Sequence, residues 1–137
     1  MEAKWSEKRA HKRFKIPGAS VSVKLEKFFF SPKRYVEEFY PVIEISRGGI
    51  RFVGQRLIST ASKVSLKIAI PEQEYPLVLK GRIRWSSTSP VANYKYQFGV
   101  QFNPYGKKKG FNDPEILEKI IMLEKRFQSD DNKSSTH

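Results

Sequence analysis

Residues 64–85 read VSLKIAIPEQEYPLVLKGRIRW. Val64, Leu66, Ile68 and Ile70 alternate with Ser65, Lys67 and Ala69, and beyond Pro71-Glu72 the alternation resumes at Leu77, Leu79, Ile83 and Trp85. Successive side chains of an extended chain point to opposite faces, so each run presents one apolar and one polar face, the mark of a half-buried strand. The same pattern extends outward in both directions. It recurs at Val21, Val23 and Leu25, and again at Tyr94, Tyr96, Phe98, Val100 and Phe102. Turn-forming residues separate the runs at Pro17-Gly18, Ser31-Pro32-Lys33, Arg47-Gly48-Gly49, Pro71-Glu72 and residues 86–90, each residue type for its own conformational reason. Short strands with regular punctuation predict an all-β antiparallel barrel or sandwich.

One segment has a different period. Asn112-Asp113-Pro114-Glu115 supplies a cap, a proline at the first helical position and an early acid, and Ile116, Leu117, Ile120, Ile121, Leu123 and Phe127 follow. This predicts an amphipathic C-terminal helix over 112–128, whose apolar stripe packs on the β domain or closes one end of it. Residues 129–137 are polar and are expected to form a disordered tail, and 1–13 a flexible basic arm, leaving 14–111 as the β domain.

The chain has 137 residues, which suits one domain, and carries a formal net charge of +12,. Between residues 45 and 112 twelve Lys or Arg face two acids, Glu72 and Glu74. That block attracts anions: nucleic acid, a membrane surface, a nucleotide or an acidic protein. There is no cysteine, which excludes disulfides, thiolate metal sites and cysteine nucleophiles,. The charged start has no signal-like apolar stretch and no run of 18 apolar residues occurs, so no transmembrane segment and a cytoplasmic location are expected. The two histidines, His11 and His137, fall in the arm and at the terminus, where no triad is credible,. Phosphate-loop and glycine-rich dinucleotide motifs are absent. The chain is therefore expected to be a binding module, not an enzyme, with no metal and no cofactor.

Two segments carry chemistry. In Lys8-Arg9-Ala10-His11-Lys12-Arg13 the two arginines stand four apart, which in extended chain places two guanidinium forks on one side at a separation of roughly 13 Å. Such forks match phosphate oxygens and the O6/N7 edge of guanine bidentately. The second segment, residues 42–52, reads VIEISRGGIRF: a strand, a Gly-Gly turn and a second strand, with Glu44 and Ser46 on one face and Ile43 and Ile45 on the other. The carboxylate suits guanine N1–H and N2–H₂, the hydroxyl donates or accepts, and Gly49 lets a flat base approach the backbone. Taken alone, the first segment reads as a soluble basic arm and the second as an ordinary hairpin.

Together they resemble the paired signature of the PilZ domain family, R-x-x-x-R followed some thirty residues later by D/N-x-S-x-x-G. The resemblance continues through Gly81-Arg82-Ile83-Arg84-Trp85 and Phe98-Gly99-Val100-Gln101-Phe102 and covers about residues 7 to 104. It implies a six-stranded antiparallel β-barrel with a C-terminal helix that binds cyclic di-GMP, a bacterial second messenger, under a wrapping arm. By matching position, Arg9 and Arg13 would hold phosphate and guanine, Glu44 and Ser46 would read a guanine, and Gly49 would shape the turn. Lys8, before the first arginine, is similar to members that take an intercalated ligand dimer. The departure is Glu44, where the family has Asp or Asn; the extra methylene keeps the acceptors but moves them, which is expected to weaken binding or to abolish it.

The leading expectation is a receptor that relays the messenger to a downstream protein through ordering of the arm. A degenerate protein-interaction module without nucleotide binding is the alternative. A single-strand nucleic-acid binder ranks third, because the aromatics of residues 94–102 fall on a core-facing pattern and no stacking platform is evident. Trp85 is expected in the core, Trp5 to be idle or a lid over a base, Phe28-Phe29-Phe30 to serve as core plus an edge contact, and Lys107-Lys108-Lys109 to be a solvated loop.

Overall fold

Alternation becomes a closed surface in the computed structural model, which describes residues 12–26 and 38–135. The strands are β1 (Ser20–Leu25), β2 (Tyr40–Ser46), β3 (Gly49–Gly54), β4 (Lys63–Ala69), β5 (Leu77–Thr88) and β6 (Tyr96–Phe102). They close in the order β1-β2-β3-β6-β5-β4, every neighbouring pair antiparallel. The expected six-stranded antiparallel barrel is thus present, with one helix among the described residues, α1 (Pro114–Ser135). Closure satisfies the strands' hydrogen-bonding groups all round and decides for the barrel over the sandwich.

The inward faces hold Val21, Phe52, Leu66, Ile68, Leu79, Ile83 and Phe98, none with measurable exposure. Each such side chain contributes about 1.5–3 kcal/mol when withdrawn from water. Phe52 and Phe98 face each other across β3 and β6 with ring centroids 5.2 Å apart.

Two bulges re-aim side chains. On β2, Val42 pairs with Phe52 and Glu44 with Arg51, so Ile43 is the extra residue. On β5, Ile83 pairs with Val100 and Trp85 with Gly99, so Arg84 is extra. An added residue inverts the alternation beyond it. Trp85, in phase with Leu77 through Ile83 by sequence, therefore points outward and is 42% exposed, which corrects the expectation that it lies in the core.

Helix α1 closes one end of the barrel with Ile120 and Leu123, which join the core, and Ile116 and Phe127 pack against it. Asp113 is the cap: its Oδ1 accepts from the Glu115 N–H at 2.9 Å, with Pro114 at the first helical position,. Asn112 is instead a buried clip, donating to the Lys80 and Asn103 carbonyls and accepting from the Lys80 N–H. The helix runs to Ser135, past the expected end at residue 128, because no Gly or Pro intervenes to stop it,. Among the described residues no helix is long and apolar enough to cross a membrane.

β1 covers only the start of β2, at Ser20↔Pro41 and Val21↔Tyr40. Further along, Phe14 takes over that edge. It exchanges two 2.9 Å backbone hydrogen bonds with Ile45 and buries its ring at 2% exposure. The chain just before β1 is thereby held against the middle of the second motif.

Candidate ligand-binding site

Pairing of Phe14 with Ile45 sets Arg13 beside Glu44, thirty-one residues away in sequence. Arg13 Nη1 donates to Glu44 Oε2 at 3.2 Å. The cross-strand partner of Glu44 on β3 is Arg51, whose Nε lies 3.4 Å from the same oxygen. This second ion pair lacks hydrogen-bond geometry, so the buried Arg51 Nε–H has no acceptor among the described residues. Arg51 Nη1 donates to Gln97 Oε1 at 2.9 Å from β6, which holds the guanidinium against the barrel wall.

The result is two guanidiniums around one carboxylate. Arg13 keeps 60% of its side chain in solvent, whereas Glu44 keeps 16% and Arg51 28%. An exposed pair of this kind adds at most about 1 kcal/mol to stability. Its value is geometric: a carboxylate shared by two cations fixes where both forks sit.

Ser46 is at the end of β2, and its Oγ accepts from the Gly48 N–H at 3.2 Å, a local bond that shapes the turn,. Its hydroxyl proton remains available to a ligand. Gly49 has a different structural reason from the one its turn position suggests. A Cβ there would stand 2.2 Å from the Val100 carbonyl oxygen on β6, so close packing of β3 on β6 demands glycine.

The turn between Ser46 and Gly49 is tied to the rest of the domain. Arg47 Nε donates to Glu124 Oε1 on α1 at 2.9 Å, and the Tyr105 hydroxyl donates to the Arg47 carbonyl at 2.6 Å. Burial pushes the Tyr105 phenol up to about 12,. Beyond Arg51, in the cross-strand row Arg51–Gly99–Trp85, the indole of Trp85 covers Gly99 so closely that a Cβ there would fall 2.1 Å from its Nε1.

Of the residues singled out by sequence, Arg13, Glu44, Ser46 and Gly49 come together on one face. Lys8 and Arg9 lie outside the described residues, as do Trp5 and Phe28-Phe29-Phe30. Sequence reading missed Arg51 and Gln97. Arg51 was findable: it stands two residues after Gly49, on the same face by alternation,. Gln97 needed the β3–β6 register. Among the described residues there is no cluster of His, Asp and Glu able to hold a metal ion.

No curated protein matches this chain. Among solved structures it is similar to the Bacillus subtilis inhibitor of motility (MotI/DgrA), with a TM-score of 0.62 and 16% identity over 86% of this chain and 50% of that one. It is also similar to K. pneumonia MrkH in its complex with c-di-GMP, with a TM-score of 0.58 and 13% identity over 90% of this chain and 55% of that one. The chain thus spans about half the length of each, and at these identities the likeness is one of fold. The PilZ domain model matches residues 7–109, three quarters of the chain and both signature segments, and the chain belongs to the PilZ domain family.

Proposed function

We propose that this chain is a non-enzymatic, cytoplasmic receptor for cyclic di-GMP that relays binding to a downstream protein by ordering its N-terminal arm. The observation that carries the reading is the meeting of Arg13 with Glu44 beside Ser46, which joins the two separated signature segments in one place. A ligand phosphate engages the Arg13 fork, and Arg51 adds a second cation close by, so the site presents two positive charges against one negative. The guanine edge is read by the Glu44 carboxylate and the Ser46 hydroxyl. Arg9 and Lys8 complete the arm's contribution, with an intercalated ligand dimer as the stoichiometry. Membership of the PilZ family and the fold it shares with a c-di-GMP complex support this reading.

One observation favours the alternative of an interaction module without nucleotide. Glu44, the residue that departs from the family pattern, already forms ion pairs with two arginines. A phosphate that takes Arg13 competes with this carboxylate. Calorimetric titration with cyclic di-GMP decides between them. The receptor reading expects saturable heat that Arg13→Ala reduces at least tenfold; absence of heat at high micromolar ligand leaves the degenerate module.

A further inference from the structure

The site above leaves a second cationic region unused. On β5, Lys80, Arg82 and Arg84 point outward. Lys63 on β4 stands directly opposite Arg82. Asn103 and Asn112 hydrogen-bond to the Lys80 backbone, which docks the loop carrying Lys107, Lys108 and Lys109 at the same end of the row. Like charges directly opposite destabilise an antiparallel pair. The ion pairs among the described residues fall on Glu44, Glu72 and Glu124, none of them with these cations. Glu26 is the carboxylate that borders Lys63, Lys80 and Arg82, and it accepts from the Ser65 hydroxyl at 3.2 Å. With Glu26 as the bordering carboxylate among the described residues, this face keeps an excess of positive charge that an external polyanion offsets.

We propose that this face binds single-stranded nucleic acid through its phosphates, independently of base sequence. Outward residues two apart on a strand repeat every ~6.5 Å, so β5 offers a row of cations suited to a chain of phosphates rather than to a single anion. The outer surface of a six-stranded barrel turns through about 60° per strand. Lys63 and Arg82 therefore diverge, and a planar bilayer meets one row, whereas a flexible strand follows both. An acidic protein finds little to anchor it here, because Val78, half exposed, is the aliphatic residue on this part of β5, and interface cores are apolar and poor in Lys. The row ends at exposed Trp85, which supplies the aromatic surface on which a base stacks,.

The test is fluorescence anisotropy of a labelled oligothymidylate of about 12 nucleotides, with full-length protein and a series of salt concentrations. Saturable binding is expected, with log K falling against log salt at a slope of about −3, as for four or five neutralised phosphates. Lys80→Glu with Arg82→Glu weakens it at least tenfold while circular dichroism stays unchanged, both side chains being exposed. Trp85→Ala weakens it by about tenfold. Arg13→Ala leaves it unchanged. The proposal is overturned if no saturable binding occurs, if the double charge reversal has no effect, or if phosphatidylserine vesicles or polyglutamate compete more strongly than unlabelled oligonucleotide. It is also overturned if Arg13→Ala abolishes binding, since the polymer then occupies only the proposed messenger site. Oligonucleotide binding with a failed cyclic di-GMP titration overturns the messenger reading alone.

Discussion

Two cationic regions flank β6, and they are organised in opposite ways. On the β3 side, Arg13 and Arg51 share the Glu44 carboxylate, and Gln97 fastens one of them. On the β5 side, Arg82 faces Lys63 across the ladder with no acid paired to either among the described residues. A carboxylate lowers the net attraction for anions but fixes the direction in which each fork points. A row bordered by one carboxylate, Glu26, that makes no ion pair with it keeps most of the attraction and gives up that direction. The first arrangement suits the proposed small ligand, recognised by shape, and the second suits the proposed flexible polyanion, bound with a strong dependence on salt.

The largest expected effect comes from breaking the wall that both regions share. Gly49→Ala drives a Cβ into the Val100 carbonyl, a backbone atom that cannot rotate away. A loss of about 3 kcal/mol is expected, seen in urea denaturation as a lower midpoint, and Tm falls by on the order of 10 °C. Both binding activities weaken together. An unchanged midpoint would show that β3 and β6 separate freely there.

Arg13→Ala separates the two regions. The side chain is mostly in solvent, so stability changes by less than about 0.5 kcal/mol,. Cyclic di-GMP affinity falls by about 1.5–3 kcal/mol, the scale of charged hydrogen bonds. Glu44→Gln sharpens the same point, because it keeps the length and removes the charge. If the carboxylate reads guanine N1–H and N2–H₂, affinity drops about tenfold; a rise in affinity would mean that Glu44 only competes with phosphate for its arginines.

Arg47→Ala probes the link from the turn to the helix. Glu124 is 8% exposed and loses its 2.9 Å partner. Leaving that carboxylate unpaired costs about 1–3 kcal/mol, and amide exchange quickens over residues 114–128. Equal exchange in both proteins would remove the helix from any relay.

Much of this fold was legible because a half-buried strand takes period 2, and Lys63–Ala69 and residues 77–83 show it plainly. Barrel and sandwich share that period, so closure was not readable from alternation and came with the family resemblance. The bulge at Arg84 was invisible, since an extra residue is defined only by its partner strand, and this is why Trp85 was placed inside. At the site, Arg13, Glu44, Ser46 and Gly49 were legible as spaced motifs. The sharing of Glu44 between Arg13 and Arg51 was not, because it depends on the Phe14–Ile45 bridge and the β2–β3 register.

The smallest effect is expected from Tyr105→Phe, which alters the messenger side alone. The hydroxyl donates to the Arg47 carbonyl, and its removal leaves that acceptor without its donor, at a cost of about 1 kcal/mol at neutral pH,. The phenol is raised from 10.0 to about 12 in the folded chain. The folded state therefore holds the proton where the unfolded state releases it. The resulting stabilisation is present in full below pH 10 and is lost as pH rises through 12. Tyr40 is raised to about 12 as well, by burial first and then by its hydrogen bond to Glu38, so both proteins lose stability in alkali. The difference between wild type and Tyr105→Phe cancels the Tyr40 part and is expected to shrink between pH 10 and 12. In binding, cyclic di-GMP affinity falls slightly as the turn loosens, and oligonucleotide affinity stays the same. A difference in stability that is constant across that pH range would show that burial does not hold the Tyr105 phenol in its protonated form.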